Sequence, residues 1–215
     1  MVDGINTVVL QGELLYPELK YTASGKALFK AKLRIPVTNR GGEPKDSFLR
    51  ITAWEEFAEA LGALPPNSRV RISARINERS YTDKAGQKKA TTDIVVDGLE
   101  STTDPTGAND FMLQGEIVWP DYKMVGDRQT PLFKAKIKIP EPSRTNPGET
   151  RYCYVKITAW DTLAEGLNVL ANSSPFVRVT GHVQERDWLD PRTNQKRVFT
   201  DAVVANYVPA EVEVV

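Results

Sequence analysis

The 215-residue chain has one cysteine, Cys153, and one histidine, His182. A lone cysteine excludes an internal disulfide and fits a reducing compartment. Together the two residues leave little for metal ligation or nucleophilic chemistry, and the chain has neither a phosphate-cradling glycine loop nor a Gly-x-Ser-x-Gly elbow. Catalysis is therefore not expected, and neither is a cofactor or a metal; Cys153 reads as an ordinary strand residue. No apolar run approaches the ~20 residues of a membrane helix. The opening "MVDGINTVVLQGE" lacks the basic and then long apolar segments of a secretory signal, so a cytoplasmic protein with no membrane partner is expected. Charge of one sign is missing too: Lys and Arg total 28, as do Asp and Glu. A polyanionic partner must then be argued from where the charges sit.

What the chain does have is a repeat. "LQGELLYPELK" at 10–20 returns as "LQGEIVWPDYK" at 113–123, "LFKAKLRIP" at 28–36 as "LFKAKIKIP" at 132–140, and "ITAWEEFAEALGAL" at 51–64 as "ITAWDTLAEGLNVL" at 157–170. "VRISARINERSYTD" at 70–83 and "QKKATTDIVV" at 87–96 have matches at 177–190 and 195–204. The order is kept while the offset drifts through small insertions, and the period is that of a domain rather than a solenoid repeat. The expected organisation is a first domain at 1–100, a linker at 101–110 inside the Thr-, Asp-, Gly- and Pro-rich "GLESTTDPTGAND", a second domain at 111–208 and a short tail at 209–215.

Within the first copy the pattern predicts a strand from about Ile5 to Leu15, with Gly12 inviting a bend or bulge. A second strand is expected over Ala27–Val37 and a third around Phe48–Trp54, after the polar loop "TNRGGEPKDS". In "EEFAEALGAL", Phe57, Leu61 and Leu64 fall at i, i+4 and i+7, one stripe of a short helix that "PPNS" ends. Strands over Arg69–Tyr81 and 88–97 complete the unit. Five strands with a helix between the third and fourth is the element order of an OB-fold, so the expected class is all-β, with two tandem OB-fold barrels.

Alternation along those strands separates two faces. Phe29, Ala31, Leu33 and Ile35 alternate with Lys30, Lys32 and Arg34, and the second copy repeats this with Lys134, Lys136 and Lys138 on the polar side. Opposite Leu49, Ile51 and Ala53 stand Phe48, Arg50, Thr52 and Trp54. Opposite Val155, Ile157 and Ala159 stand Tyr154, Lys156, Thr158 and Trp160. Strand four adds Arg71, Arg75, Arg79 and Tyr81, and its twin adds Arg178, His182, Arg186 and Trp188. A row of cations alone is ordinarily just the solvated side of a sheet, and Trp54 and Trp160, directly before the helices, have the alternative of packing under them. Outward aromatics interleaved with cations call for more. Phosphates seek cations, and unpaired bases stack on aromatic rings. Single-stranded nucleic acid offers both at once.

The segments "INTVVLQGEL", "PELKYTASGKALFKAKLRI", "FLRITAWEEFAEAL" and "INERSYTDKAGQKKATTDIVV" resemble, in this order, the bacterial-type single-stranded DNA-binding proteins. The resemblance covers nearly all of residues 5–100 and, more loosely, 111–208. It implies largely sequence-independent binding of single-stranded DNA that protects it during replication, recombination or repair. It places stacking aromatics at Phe48, Trp54 and Tyr81, then at Tyr154, Trp160 and Trp188. It also implies a homodimer presenting four OB-folds, in a bacterial or a phage- or plasmid-encoded setting close to the nucleoid.

Two departures shape these expectations. The loop between strands two and three, "TNRGGEPKDS" or "EPSRTNPGETR", lacks the further aromatic of relatives, which suggests weaker binding or a smaller footprint. The sequence ends at "VPAEVEVV", without the acidic tip that recruits replication and repair proteins in relatives; such proteins stay open as partners, without that recruiting device. The rival reading is an OB-fold adaptor whose sheet binds protein; it explains the neutral charge, but less well the cations recurring in register on three strands of both copies.

Overall fold

The computed structural model describes residues 4–38, 42–82, 86, 88–143, 146, 148–173, 175–189 and 196–210. The side chains of Ser80, Tyr81, Lys88, Lys89, Ala90, Leu189, Lys196 and Arg197 fall outside that description. The elements run β1 (Ile5–Tyr21), β2 (Ala27–Thr38), β3 (Pro44–Trp54), α1 (Glu55–Gly62), β4 (Arg69–Thr82) and β5 (Lys88–Ser101). The same order repeats in β6 (Ala108–Val125), β7 (Thr130–Pro142), β8 (Thr150–Trp160), α2 (Asp161–Ser173), β9 (Phe176–Leu189) and β10 (Lys196–Pro209).

Each set closes into a five-stranded barrel with the helix after its third strand, as the element order predicts. In the first, β1 pairs antiparallel with β2 and with β4, β2 with β3 and β4 with β5. A parallel contact between β3 and β5 completes the ring. The period-two positions fill the interior: Phe29, Leu33 and Ile35 of β2, Leu49, Ile51 and Ala53 of β3, and Val70 and Ile72 of β4 are all buried. Phe133, Ile137, Ile139, Val155, Ile157 and Ala159 do the same in the second barrel. A strand buried on one face and wet on the other has no other way to satisfy both its apolar side chains and its ladder.

Several expectations need correction. Gly12 is not a bulge. It lies where β1 crosses β2 so closely that a Cβ would sit 2.3 Å from the Arg34 carbonyl oxygen. The register shift comes later, between Leu15 and Glu18, with Tyr16 at φ 53°. The loop before β3 is shorter than expected, because Pro44–Ser47 already pair with β2. Helix α1 stops at Gly62, so Leu64 falls outside it; Ala58 and Leu61 are its buried residues, and Phe57 is only half-buried. Between β5 and β6 only 102–107 remain outside the strands. Arg69 donates to the carbonyls of Asp104 (2.9 Å) and Thr106 (3.0 Å), and the buried Gln11 donates to the latter at 2.9 Å. Asp104 accepts the backbone N–H of Thr106 at 2.9 Å and its hydroxyl at 2.8 Å, and these bonds hold its carboxyl below the usual aspartate range.

The chain packs as two compact units. One comprises residues 7–110 together with 184–200, the outer part of the β9–β10 hairpin. The other comprises residues 111–183 and 201–215 together with the first six residues.

Candidate nucleic-acid interface

In the first unit the β2–β3 register sets the outward rows side by side. Lys30 faces Thr52, Lys32 faces Arg50, Arg34 faces Phe48, and Leu28 faces Trp54. Opposed residues of an antiparallel pair share one face, so cations and rings form a single strip. Phe48 and Trp54 are exposed; Trp54 is 40% accessible, so helix α1 does not cover it. Arg34 is ion-paired with Glu13. Arg50 meets Glu185, whose carboxylate accepts its backbone N–H and lies near its guanidinium. Burial pushes the Glu185 carboxyl above the usual range, against the opposing pull of the Arg50 N–H, Arg50 and Lys32. The same hairpin segment contributes Trp188, 45% exposed and edge-to-face with Phe199 at 6.2 Å.

The β4 cations lie elsewhere. That strand pairs with β1 and β5, not with β2 or β3. Arg71 donates to Gln11 at 3.1 Å, beside the bound linker residues, while Arg75 pairs with Asp97 and Arg79 with Asp93 at 3.3 Å. Tyr81, at the end of this strand, is expected at the site from the sequence; its side chain lies outside the described residues.

In the second unit the strip recurs: Lys134 faces Thr158, Lys136 faces Lys156, Lys138 faces Tyr154, and Leu132 faces Trp160. Here Tyr154 and Trp160 are half-buried. Lys156 lies 3.9 Å from the buried Asp201. Lys138 donates to Glu116 at 3.2 Å, which holds its ammonium above the usual lysine range. Arg178 donates to Gln114 at 2.8 Å, repeating the Arg71–Gln11 pair; Arg186, further along β9, is exposed and belongs to the hairpin segment of the first unit.

Two further rings join this strip: Trp119, which the alternation of strands three and four does not reveal, and Tyr152, which continues the outward row of β8 beyond Tyr154. Trp119 stacks on Tyr154 with ring centroids 5.3 Å apart and an interplanar angle of 24°. Tyr152 carries the Lys138 ammonium 4.6 Å from its ring centre. The signal for Trp119 was present: an aromatic followed by proline at the same place in both copies, Tyr16–Pro17 and Trp119–Pro120.

Residues 5–102 match the model of the Single-strand binding protein family. That match spans the first of the two barrels. Among curated proteins, the chain is 28% identical over 152 residues to "Single-stranded DNA-binding protein 2" of Listeria innocua, aligning 67% of its own length and 92% of that protein's. It is 36% identical over 106 residues to the "Single-stranded DNA-binding protein" of Paenarthrobacter aurescens, 45% of this chain and 61% of that one. It spans only 38% of the Thermus thermophilus relative, at 29% identity. In fold, the whole chain superposes on 97% of the wild-type single-stranded DNA binding protein from Thermus aquaticus, with a TM-score of 0.76 at 18% identity. At that identity the likeness shows the paired OB-fold architecture. The family match stops at residue 102, yet the β7–β8 strip repeats the β2–β3 strip opposition by opposition. Among the described residues no helix is long and apolar enough to cross a membrane, and no group of three or more His, Cys, Asp or Glu side chains is placed to hold a metal ion.

Proposed function

We propose that the protein binds single-stranded DNA largely irrespective of sequence, with the outward β2–β3 and β7–β8 faces as its two platforms. One observation carries the reading. In both barrels a cation stands opposite a cation, and the next opposed pair sets a cation against an aromatic: Lys32 and Arg50 then Arg34 and Phe48, and Lys136 and Lys156 then Lys138 and Tyr154. A single strand presents a phosphate for every base, so alternating cations and rings suit its repeat. Cations neutralise phosphates and release counterions, and each base stacked on a ring contributes roughly 1–3 kcal/mol. Every base has a π-face, hence the tolerance of sequence. A duplex hides those faces and would forfeit the stacking.

The names of the relatives support this reading, and the adaptor alternative is not favoured. The activity is binding rather than catalysis. Arg50, Trp54, Lys30, Lys134 and Trp160 belong to these platforms, and Tyr81, Trp188 and Arg186, at the outer ends of strand four and its twin, would add contacts beyond them. We assign Arg71 and Arg178 a lesser part, since each is held by a glutamine of the barrel's first strand. The functional units are the two barrels at 1–100 and 111–208. Two chains would display four OB-folds as a homodimer, working in the cytoplasm on exposed strands of replicating or recombining DNA.

The test is intrinsic tryptophan fluorescence during titration with a long oligo-dT, a matching duplex and a matching RNA, at low and high salt. Strong quenching by oligo-dT, partly resistant to salt and absent with duplex, is expected. No quenching by any of the three at low salt would overturn the assignment.

A further inference from the structure

The ring in front of each bulge proline is unusual in three ways at once. Tyr16 and Trp119 both sit at φ 53°, a left-handed conformation that non-glycine residues seldom adopt and that bulky ones adopt least. Both lie inside the register shift of the barrel's first strand, between Leu15 and Glu18 and between Val118 and Asp121. Both are conspicuously wet, at 80% and 65% exposure. Strain of this kind persists where the surroundings impose it, and it gathers at functional positions. A bulge is also a device that re-aims a side chain out of the strand's ordinary alternation. Burial does not account for the aromatic character, because each residue is mostly open to solvent.

The second unit shows where the re-aimed ring goes. Trp119 lands on Tyr154, stacked at 5.3 Å, with the Lys136 ammonium 5.6 Å from its own ring centre. Tyr154 belongs to the cation–aromatic strip, and Lys138, opposite it, lies against the Tyr152 ring. The bulge thus extends the strip by one ring beyond its strand edge, with a cation at hand for the adjoining phosphate. In the first unit Tyr16 occupies the equivalent bulge position, close in register to Lys32, which pairs with Leu15.

We propose that Trp119 and Tyr16 are base-stacking residues for single-stranded DNA, an aromatic position on the first strand of each barrel besides those on strands three and four. The proposal rests on the function assigned above and adds to it a path: the strand leaves the β7–β8 face over Trp119, and the β2–β3 face over Tyr16. Stacking on a ring that already stacks on Tyr154 favours a purine or pyrimidine face without reading its edges.

The experiment compares oligo-dT binding by the full chain with that of Tyr16→Ala/Trp119→Ala, over a series of salt concentrations. The double variant is expected to bind about tenfold or more weaker with an unchanged slope of log affinity against log salt, because stacking displaces no counterion. Tyr16→Phe/Trp119→Phe should restore most of the loss. Equal affinity of the double alanine variant and the parent would overturn the inference and leave the general function standing. A parent that fails to bind oligo-dT overturns both. An independent arm needs no variant. Photo-crosslinking of the parent to an oligo-dT containing 5-iodouracil should mark the peptides bearing Tyr16 and Trp119, and crosslinks confined to other peptides would reject the proposal.

Discussion

The Glu185 carboxylate accepts the backbone N–H of Arg50 at 2.7 Å, and its other oxygen lies 3.8 Å from the Arg50 guanidinium. An anion resting on two donors is what a phosphate would do at the same place. The acid is nearly covered, with Lys32 also acting on it, whereas the arginine head stays largely open to solvent.

A neutral side chain at that position should therefore release cationic character to the strip. Glu185→Gln is expected to tighten oligo-dT binding several-fold at low salt and to steepen the salt slope by about 0.7, the increment for one more phosphate contact on a single strand. The two proteins should converge at high salt. Identical salt titrations would mean that the bound strand does not pass Arg50.

The same carboxyl sets a pH dependence with a definite sign. Burial raises its folded-state value above the ordinary 4.5. Its contribution to stability is then fully present below that ordinary value and is lost as pH rises through the raised one. Asp104 behaves oppositely: the Thr106 bonds lower its value below 3.8, so its contribution is present above 3.8 and is lost as pH falls through the depressed value. Thermal melts between pH 3 and 7 should show Glu185→Gln gaining on the parent as pH rises, and Asp104→Asn gaining on it at the acid end.

Removing the β2 cations together should act on charge alone. Lys30→Ala/Lys32→Ala/Arg34→Ala is expected to weaken oligo-dT binding at low salt and flatten the salt slope by about 2, near 0.7 for each cation lost. Arg34 should give the smallest single effect, since Glu13 already pairs with it. Equal binding by the triple variant and the parent at every salt concentration would remove β2 from the binding face.

Gly12→Ala tests the close crossing of β1 and β2. The added methyl would meet the Arg34 carbonyl oxygen at 2.3 Å and its carbon at 3.0 Å, both backbone atoms that cannot turn aside. Overpacking of this sort costs about 1–3 kcal/mol, readable in urea denaturation. Gly115→Ala should behave alike, because its methyl would meet the Lys138 carbonyl oxygen at 2.4 Å.

The barrel interior was legible because strict alternation is a strong signal: Phe29, Ala31, Leu33 and Ile35 have only one consistent way to face. Pro44–Ser47 carry the polar pattern of a loop because the β2–β3 ribbon there is exposed, where a strand needs no apolar face. The length of helix α1 is not legible in its spacing, because the apolar positions run on to Leu64 while the helical turns end at Gly62. Within the candidate site, Phe48, Arg50 and Lys32 could be placed from register logic. Tyr16 and Trp119 escaped that logic because a bulge suspends the alternation on which it depends. Glu185 left no trace at all: an acid on a distal hairpin acquires meaning only when the chain folds it against Arg50.

Each ring of strands is fastened by a single parallel contact. Between β3 and β5 it spans two residue pairs, Ile51 with Ile94 and Thr52 with Val95; between β8 and β10 it spans Ile157 with Ala202 and Thr158 with Val203. At the second of these seams the buried Thr158 hydroxyl has no hydrogen-bond partner among the described residues. The β2–β3 ladder, by contrast, runs through eleven consecutive pairs from Leu28–Trp54 to Thr38–Pro44. A cylinder latched by two rungs opens there first. In deuterium exchange the β3–β5 and β8–β10 amides would go first, while the paired ribbons that carry the cations and rings stay closed. The barrel would then open along the edge of the cation-bearing ribbon, while the ribbon itself stays paired.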